Sequence, residues 1–443
     1  MSKLKIFFLL LLCVTLAYGA SIQYGFSQDD WFHLSISQAS NLQEFLNFFN
    51  PAGVTWIFFR PLSTQVPYWL STSLFSLSTA PYFMHATMLL IHALNAYLVV
   101  IISRKYLRSN ASILLGIFYA ISSIHFLSLF YIGAIQQLIS TFFSLLAIYL
   151  FLKRPRPNQL SLAILTLCAL LSKELALRLP MILFVLAYLC EKNILRSLRA
   201  ITGPLCVAIL YILLRVIFDT GVASEYAVVL SPATTLATTM WYALFSLGFP
   251  EEILRYGLSG GLINFVGFLR LDPVARLPIF VGAFILLFYV IHQLVLSVRL
   301  KQNRPQLAFL ALAFLNILPI IFLPTHRYPH YLDLSLLFIG IWLLRNLSKI
   351  NFSVIIFSLL VGLGMFCSIW VETTTHWTIK RAILARTQMT NILSNQACQN
   401  PEGIVFEGSK QDLLELSYAM SIANGPRVIC QNPSLQVYYK TLP

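Results

Sequence analysis

The chain has 443 residues, 58% of them hydrophobic and only 10% charged, whereas ordinary soluble domains carry about 25% charged residues. A formal net charge of +14 would suit nucleic acid, but the Lys and Arg residues sit in short clusters between recurring apolar runs of about 20 residues, which is the pattern of transmembrane helices. Composition therefore excludes a soluble enzyme or a nucleic-acid binder and points to an all-α polytopic membrane protein.

Lys3 and Lys5 head the first apolar run, Leu4 to Ala20. It reads as a span. Its leucines and the ending Ala17-Tyr18-Gly19-Ala20 also fit a cleavable signal peptide, which would leave the downstream orientation unchanged. The run QDDWFH follows at once, with the adjacent carboxylates Asp29 and Asp30 and with His33. The outer segment that begins here, residues 21–80, is long enough to be functional or to contain structure. Leu42, Phe45, Leu46 and Phe49 share one helical face, and Asn41 with Glu44 makes a plausible start, so an amphipathic helix on the outer membrane surface is predicted. Arg60-Pro61-Leu62 and an aromatic stretch then lead into the second span.

Basic clusters recur in alternate loops: Arg104, Lys105 and Arg108; Lys153, Arg154 and Arg156; Lys192, Arg196 and Arg199; Arg299, Lys301 and Arg304; Arg345 and Lys349. The positive-inside rule puts them in the cytoplasm. The expected topology is about eleven spans, N-terminus inside and C-terminus outside. Of the 16 acidic residues only Glu191 then remains inside.

Two span pairs are too short. Residues 158–190 and 307–344 must each cross twice, whereas two full spans need about 40 residues before any turn. Their outer tips are therefore predicted to be recessed in a cavity, where charge is costly and usually functional. One tip carries Lys173, Glu174 and Arg178. The other carries His326, Arg327, Tyr328, His330 and Tyr331.

The second large outer segment, residues 219–276, has an apolar stretch from Thr234 to Phe249 that suits a re-entrant or interfacial helix better than a span. After the last span comes a polar tail. Strands are expected at Ile404–Phe406 and Arg427–Cys430, with a helix from Gln411 to Ala423 closed by Gly425. The chain thus divides into a membrane domain, residues 1–375, and a small extracytoplasmic α/β appendage, residues 376–443. Cys13, Cys168, Cys190, Cys206 and Cys367 read as packing residues in or at the ends of spans. Cys398 and Cys430 lie in the outer tail, where a disulfide is permitted.

Each candidate residue has a plainer alternative. Asp29 and Asp30 with His33 offer a general base or ligands for a divalent cation; they also suit a solvated turn or a helix cap. Lys173 offers a charge for a phosphate, or a partner for Glu174. Arg327 has the planar fork suited to phosphate, or forms a structural ion pair. Arg60 either binds substrate or anchors its loop. His326 and His330 are more often interfacial, and Arg178 reads as structural. Trp31, Trp56 and Trp69 are ordinary interfacial aromatics unless the substrate is a sugar. No nucleotide-binding motif occurs, so a donor used on the outer face should be carried by a lipid.

Taken in order and sidedness, the acidic pair Asp29-Asp30, FRPL at 59–62, SKE at 172–174 and HRY at 326–328 resemble the GT-C superfamily of integral membrane glycosyltransferases, near the protein O-mannosyltransferases and lipid A aminoarabinose transferases. The resemblance covers about residues 1–375. It implies a polyprenyl-phosphate sugar donor and a transfer with inversion; the acceptor, a hydroxyl of a protein, glycan or lipid on the extracytoplasmic face, is not inherited from it. It implies Asp29 as the catalytic carboxylate and Lys173 and Arg327 as contacts of the donor phosphate; Arg60, Glu174, His326, Tyr328 and His330, by their place in the outer loop and tips, are further substrate-binding candidates. Asp-Asp replaces the commoner Asp-Glu of the family, leaving the role of Asp30 open. No cofactor is implied beyond an optional divalent cation. The rival class is a transporter or flippase of lipid-linked saccharides; against it, the informative charges cluster on one face and no inverted repeat is visible. A multi-pass cell-membrane protein is expected, and the lack of a eukaryotic targeting signal points to bacteria.

Overall fold

The computed structural model of the chain describes residues 2–52, 59–153, 157–218, 226–257, 273–299, 306–347 and 351–441. Trp56, Arg154, Arg156, Lys301, Arg304 and Lys349 lie outside them.

Helix α1 (Lys3–Tyr18) leads to a short helix α2 (Asp29–Ile36) that begins on the acidic pair. Helix α3 (Leu42–Asn47) starts where predicted: the Asn41 side chain accepts from the Glu44 amide at 2.9 Å. Its Leu42 and Leu46 are exposed, as a membrane-surface helix requires, while Phe45 packs on Trp69 of α4 (Gln65–Leu74). The long span α5 (Ala80–Ser103) is followed by α6 (Ser109–Ile121) and α7 (Phe126–Phe130), which are bent by 42°. That break frees backbone carbonyls in an apolar setting, and buried side chains meet them: His92 bonds Ala120 O and the Tyr18 hydroxyl donates to Ser122 O.

Helix α8 (Ile135–Lys153) precedes the first hairpin, α9 (Gln159–Leu170) and α10 (Leu179–Glu191). At 1.5 Å per residue these two helices reach only about 20 Å, short of the roughly 30 Å hydrocarbon core, so their connecting tip is buried in protein. A short helix α11 (Ile194–Ala200) turns by 70° into α12 (Thr202–Phe218). Helix α13 (Pro232–Ser246) falls on the apolar stretch of residues 234–249: Thr238, Tyr242 and Phe245 face the bundle while Leu236 and Met240 are exposed. Helix α14 (Glu251–Gly257) leads to α15 (Pro273–Arg299). The second short hairpin is α16 (Leu307–Ile317) and α17 (Asp333–Leu344), and α18 (Phe352–Thr375) is the last span. Gly282 and Gly364 let α15 and α18 touch: a Cβ on Gly364 would come within 2.7 Å of Pro278 O.

Among the described residues five helices are long and apolar enough to cross a membrane, or seven if each bent pair is one span. With the four short hairpin helices this is consistent with eleven crossings.

The tail consists of α19 (Trp377–Ser394), strand β1 (Ile404–Gly408), α20 (Lys410–Ala419), α21 (Asn424–Ile429) and strand β2 (Val437–Thr441). The strands pair in parallel, Ile404 with Val437 through Gly408 with Thr441. Cys398 and Cys430 form a disulfide with Cα atoms 5.3 Å apart. Two expectations fail. Arg427–Cys430 is helical, because Pro426 suits a first helical turn and Pro426 and Ile429, three apart, bury one face. Helix α20 stops at Ala419 rather than Ala423, and Gly425, whose amide donates to Met420 O at 2.8 Å, lies inside α21. The second strand is instead the C-terminal Val437–Thr441.

Candidate active site

The acidic turn is built by its own backbone. Asp30 N–H donates to Ser27 O at 3.1 Å, and Ser27 N–H returns a bond to Asp30 Oδ2 at 2.8 Å. Between them Gln28 has φ 54° and ψ −126°, the first corner of a type II′ turn, where glycine is the usual residue. A non-glycine residue there costs on the order of 1–3 kcal/mol. The two carboxylates end in different surroundings. Asp29 is exposed, and Asp30 is completely buried. The Tyr68 hydroxyl donates to Asp30 Oδ1. Burial pushes the Asp30 carboxyl up to about 8, although the bonds from Tyr68 and Ser27 pull the other way.

From Asp30 a chain of side chains leads inward. The His33 ring lies 5.4 Å from the Tyr68 ring, and His33 Nε2 is 3.4 Å from Gln136 Nε2. Gln136 Oε1 accepts from Arg60. An arginine can only donate, so the amide nitrogen must point at His33 and the imidazole must accept. His33 is therefore neutral, in line with burial and the nearby Arg60 charge lowering it to about 3.

Arg60 arrives here because its segment docks on the first hairpin tip. Leu62 N–H bonds Leu171 O at 3.3 Å and the Ser63 hydroxyl bonds Ser172 O at 2.6 Å. Its guanidinium grips Glu174 with two bonds, 2.9 and 2.7 Å. Burial alone would raise the Glu174 carboxyl, but Arg60 outweighs it and holds it at about 2. Arg60 and Glu174 thus neutralise each other.

Arg178 and Asp333 form a second pair at 2.7 Å, and both are almost wholly buried. Arg178 also donates to Asn316 O and Tyr331 O at 3.3 Å, and Asp333 accepts from Gln137, Thr141 and Leu334 N–H. This network ties one hairpin tip to the other. It bears out Arg178 as structural.

Lys173 and Arg327 have no such partner: neither forms a salt bridge among the described residues. The Lys173 ammonium lies 4.8 Å from the Tyr331 ring centroid. Burial, with Arg60 adding to it, lowers Lys173 to about 7. Arg327 is half-buried, donates to Thr238 Oγ1 at 3.1 Å and stacks 5.1 Å from the Trp241 ring of α13. Aromatic rings surround Lys173 and line the second tip: His326 is 4.4 Å from Tyr226 and 4.7 Å from Tyr328, and His330 stacks on Tyr328 at 5.6 Å and meets Tyr331 at 4.5 Å. Burial lowers His326 to about 4, with the Lys173 charge adding to it.

The structure thus brings Arg60, Lys173, Glu174, His326, Tyr328 and His330 into one region and links it through Gln136 to Asp30 and His33. Arg327 faces α13. Among the described residues no three carboxylate, imidazole or thiol side chains converge as metal ligands do. Sequence reading missed Tyr68, Gln136 and Asp333. The Gln136-Gln137 pair at the head of an apolar span was the available signal, since polar side chains at that depth face the protein interior.

No family model matches the sequence, and no curated protein does. The fold is similar to the crystal structure of ArnT from Cupriavidus metallidurans bound to undecaprenyl phosphate, with a TM-score of 0.53 and 11% identity over 98% of this chain and 85% of that one. At that identity the likeness is one of fold. The chain therefore shares the membrane architecture of that structure and carries a small tail with two strands.

Proposed function

We propose that the protein transfers a sugar from a polyprenyl-phosphate donor to an acceptor hydroxyl at the extracytoplasmic face. The observation that carries this reading is the pair of cations at recessed hairpin tips, Lys173 and Arg327, which have no carboxylate partner among the described residues, while neighbouring Arg60 and Arg178 are each ion-paired with a carboxylate. A phosphate would complete them. The fold likeness supports the choice of lipid, since that ArnT structure holds undecaprenyl phosphate. So does an apolar cleft of about 400 Å³ between α10 and α12, lined by Leu177, Pro180, Met181, Phe184, Leu205 and Ile209. It starts three residues beyond Glu174 and suits a prenyl chain.

In the proposed step the acceptor oxygen attacks the anomeric carbon as the bond from that carbon to the phosphate oxygen breaks. The exposed Asp29 takes the hydroxyl proton, a role worth roughly 10² to 10⁴-fold. The lipid phosphate leaves with the bonding electrons, and Lys173 and Arg327 stabilise its charge. Asp30, buried and bonded to Tyr68 and Ser27, orients the turn rather than meeting the substrate. The test is sugar transfer by purified protein in lipid nanodiscs, offered a panel of undecaprenyl-phosphate-linked hexoses and pentoses. Transfer abolished by Asp29→Asn supports the reading. Movement of the intact lipid-linked sugar between leaflets, with no bond broken, would instead establish the flippase.

A further inference from the structure

Resting on the reading of Asp29 as base, we propose that the C-terminal tail is a clamp that sets the aim of the acidic turn, with Gln28 and Arg381 as positioning residues. Gln28 holds a left-handed torsion next to Asp29 that glycine adopts freely and glutamine does not. Such a residue persists where its surroundings over-determine it. Here the restraint comes from the tail. Gln28 N–H donates to Ala419 O at 2.9 Å, and Gln28 Oε1 accepts from Arg381 Nη1 at 2.9 Å. On the other side of the acidic pair, the Trp31 indole N–H donates to the same Ala419 O at 3.0 Å. The attachments therefore bracket Asp29 and Asp30.

The clamp is itself rigidly made. Ala419 ends α20, so its carbonyl has no partner within the helix and is available to two donors. Arg381 on α19 is fixed by two bonds to Glu415, 2.9 and 3.3 Å, and by the Trp377 and Tyr418 rings at 5.1 and 4.5 Å. Helix α21 packs on α2, and the Cys398–Cys430 disulfide ties its end to the turn after α19. The membrane domain supplies the reacting carboxylate; the tail decides where it points.

A tail that merely stabilises the protein would behave differently from one that holds a strained turn, and Gln28→Gly separates the two. Glycine takes the torsion unaided, so the turn no longer needs Arg381. The experiment uses the full chain in nanodiscs, with undecaprenyl-phosphate-linked mannose, glucose and arabinose as donors and hydrogen exchange in D2O as a donor-free readout. Arg381→Ala should speed exchange across residues 24–36. It should lower kcat about tenfold, the worth of one hydrogen bond to a charged group, with KM for the donor unchanged. In the Gln28→Gly background the same substitution should change kcat less than about twofold. Equal losses in both backgrounds, or unchanged exchange in the turn, would overturn the clamp. Parental turnover in Asp29→Asn would instead remove the reading beneath it, while the exchange result would still judge the clamp itself.

Discussion

The acidic turn and the hairpin tips bury carboxyl groups in opposite ways. At the turn, Asp30 is enclosed by neutral donors, the Ser27 amide and the Tyr68 hydroxyl, and burial drives its carboxyl up to about 8. At the tips, Glu174 and Asp333 are each gripped by an arginine, and Glu174 is held at about 2. Hydrogen bonds from neutral groups do not offset the loss of water around a charge; a guanidinium fork does. The turn therefore keeps its buried acid close to neutrality and leaves Asp29 as the exposed charge, whereas the tips use up their acids and leave two cations over. The exposed acid and the unpaired cations are thus left over by contrary means.

The comparison breaks first at Asp29. If it alone carries the reactive charge, Asp29→Asn should lower transfer roughly 10² to 10⁴-fold in the nanodisc assay, with an unchanged unfolding midpoint. A variant that loses stability as well would show Asp29 to be structural like its neighbour.

At the tips the paired charges are structural, and the expected loss appears as unfolding. Arg178→Ala leaves Asp333 buried without its cation and should cost about 3–5 kcal/mol, read as a lowered thermal midpoint in detergent. Replacing both, Arg178→Met with Asp333→Leu, should recover most of that loss.

The contrast in proton affinity has opposite signs with pH. Asp30 has a native pKa raised above its unfolded value of 3.8. Its contribution to stability is fully present below about 4 and is lost as pH rises through about 8. Glu174 has its native pKa lowered from 4.5 to about 2, so its contribution is present above about 4.5 and is lost as pH falls through about 2. Asp30→Asn should flatten the decline between pH 4 and 8, and Glu174→Gln should leave it in place. Unfolding midpoints across that range decide the matter.

The smallest effect is at Lys173, lowered to about 7. A phosphate needs the ammonium, so undecaprenyl phosphate should bind more weakly as pH rises through about 7, approaching tenfold per unit above it. Lys173→Arg, which keeps its charge, should abolish that slope; a slope that survives the substitution would assign the titration elsewhere.

The apolar helices and the buried hairpin tips were legible in the sequence because both follow from one-dimensional facts: apolar run length, and hairpins too short to cross twice. The tail was legible only in part. Val428-Ile429-Cys430 looked like a strand by its β-branched residues, but Pro426 and the spacing of its buried positions made it helical. The α3 cap was correct in detail, since a capping side chain reaches only three residues along the chain.

What the sequence determined by itself was therefore local or periodic: which segments are apolar, which loops are basic, where a helix begins, that Asp29 and Asp30 are adjacent, and that Lys173 and Arg327 fall where charge is costly. Tertiary structure decided which of two adjacent aspartates is buried, and which of four cations lack a carboxylate among the described residues. It also decided that Ala419, 388 residues beyond Trp31, supplies the acceptor for the residues on either side of the acidic pair. Each of those outcomes depends on partners remote in the chain. Burial and pairing act through distance in space, and no spacing along a sequence records it.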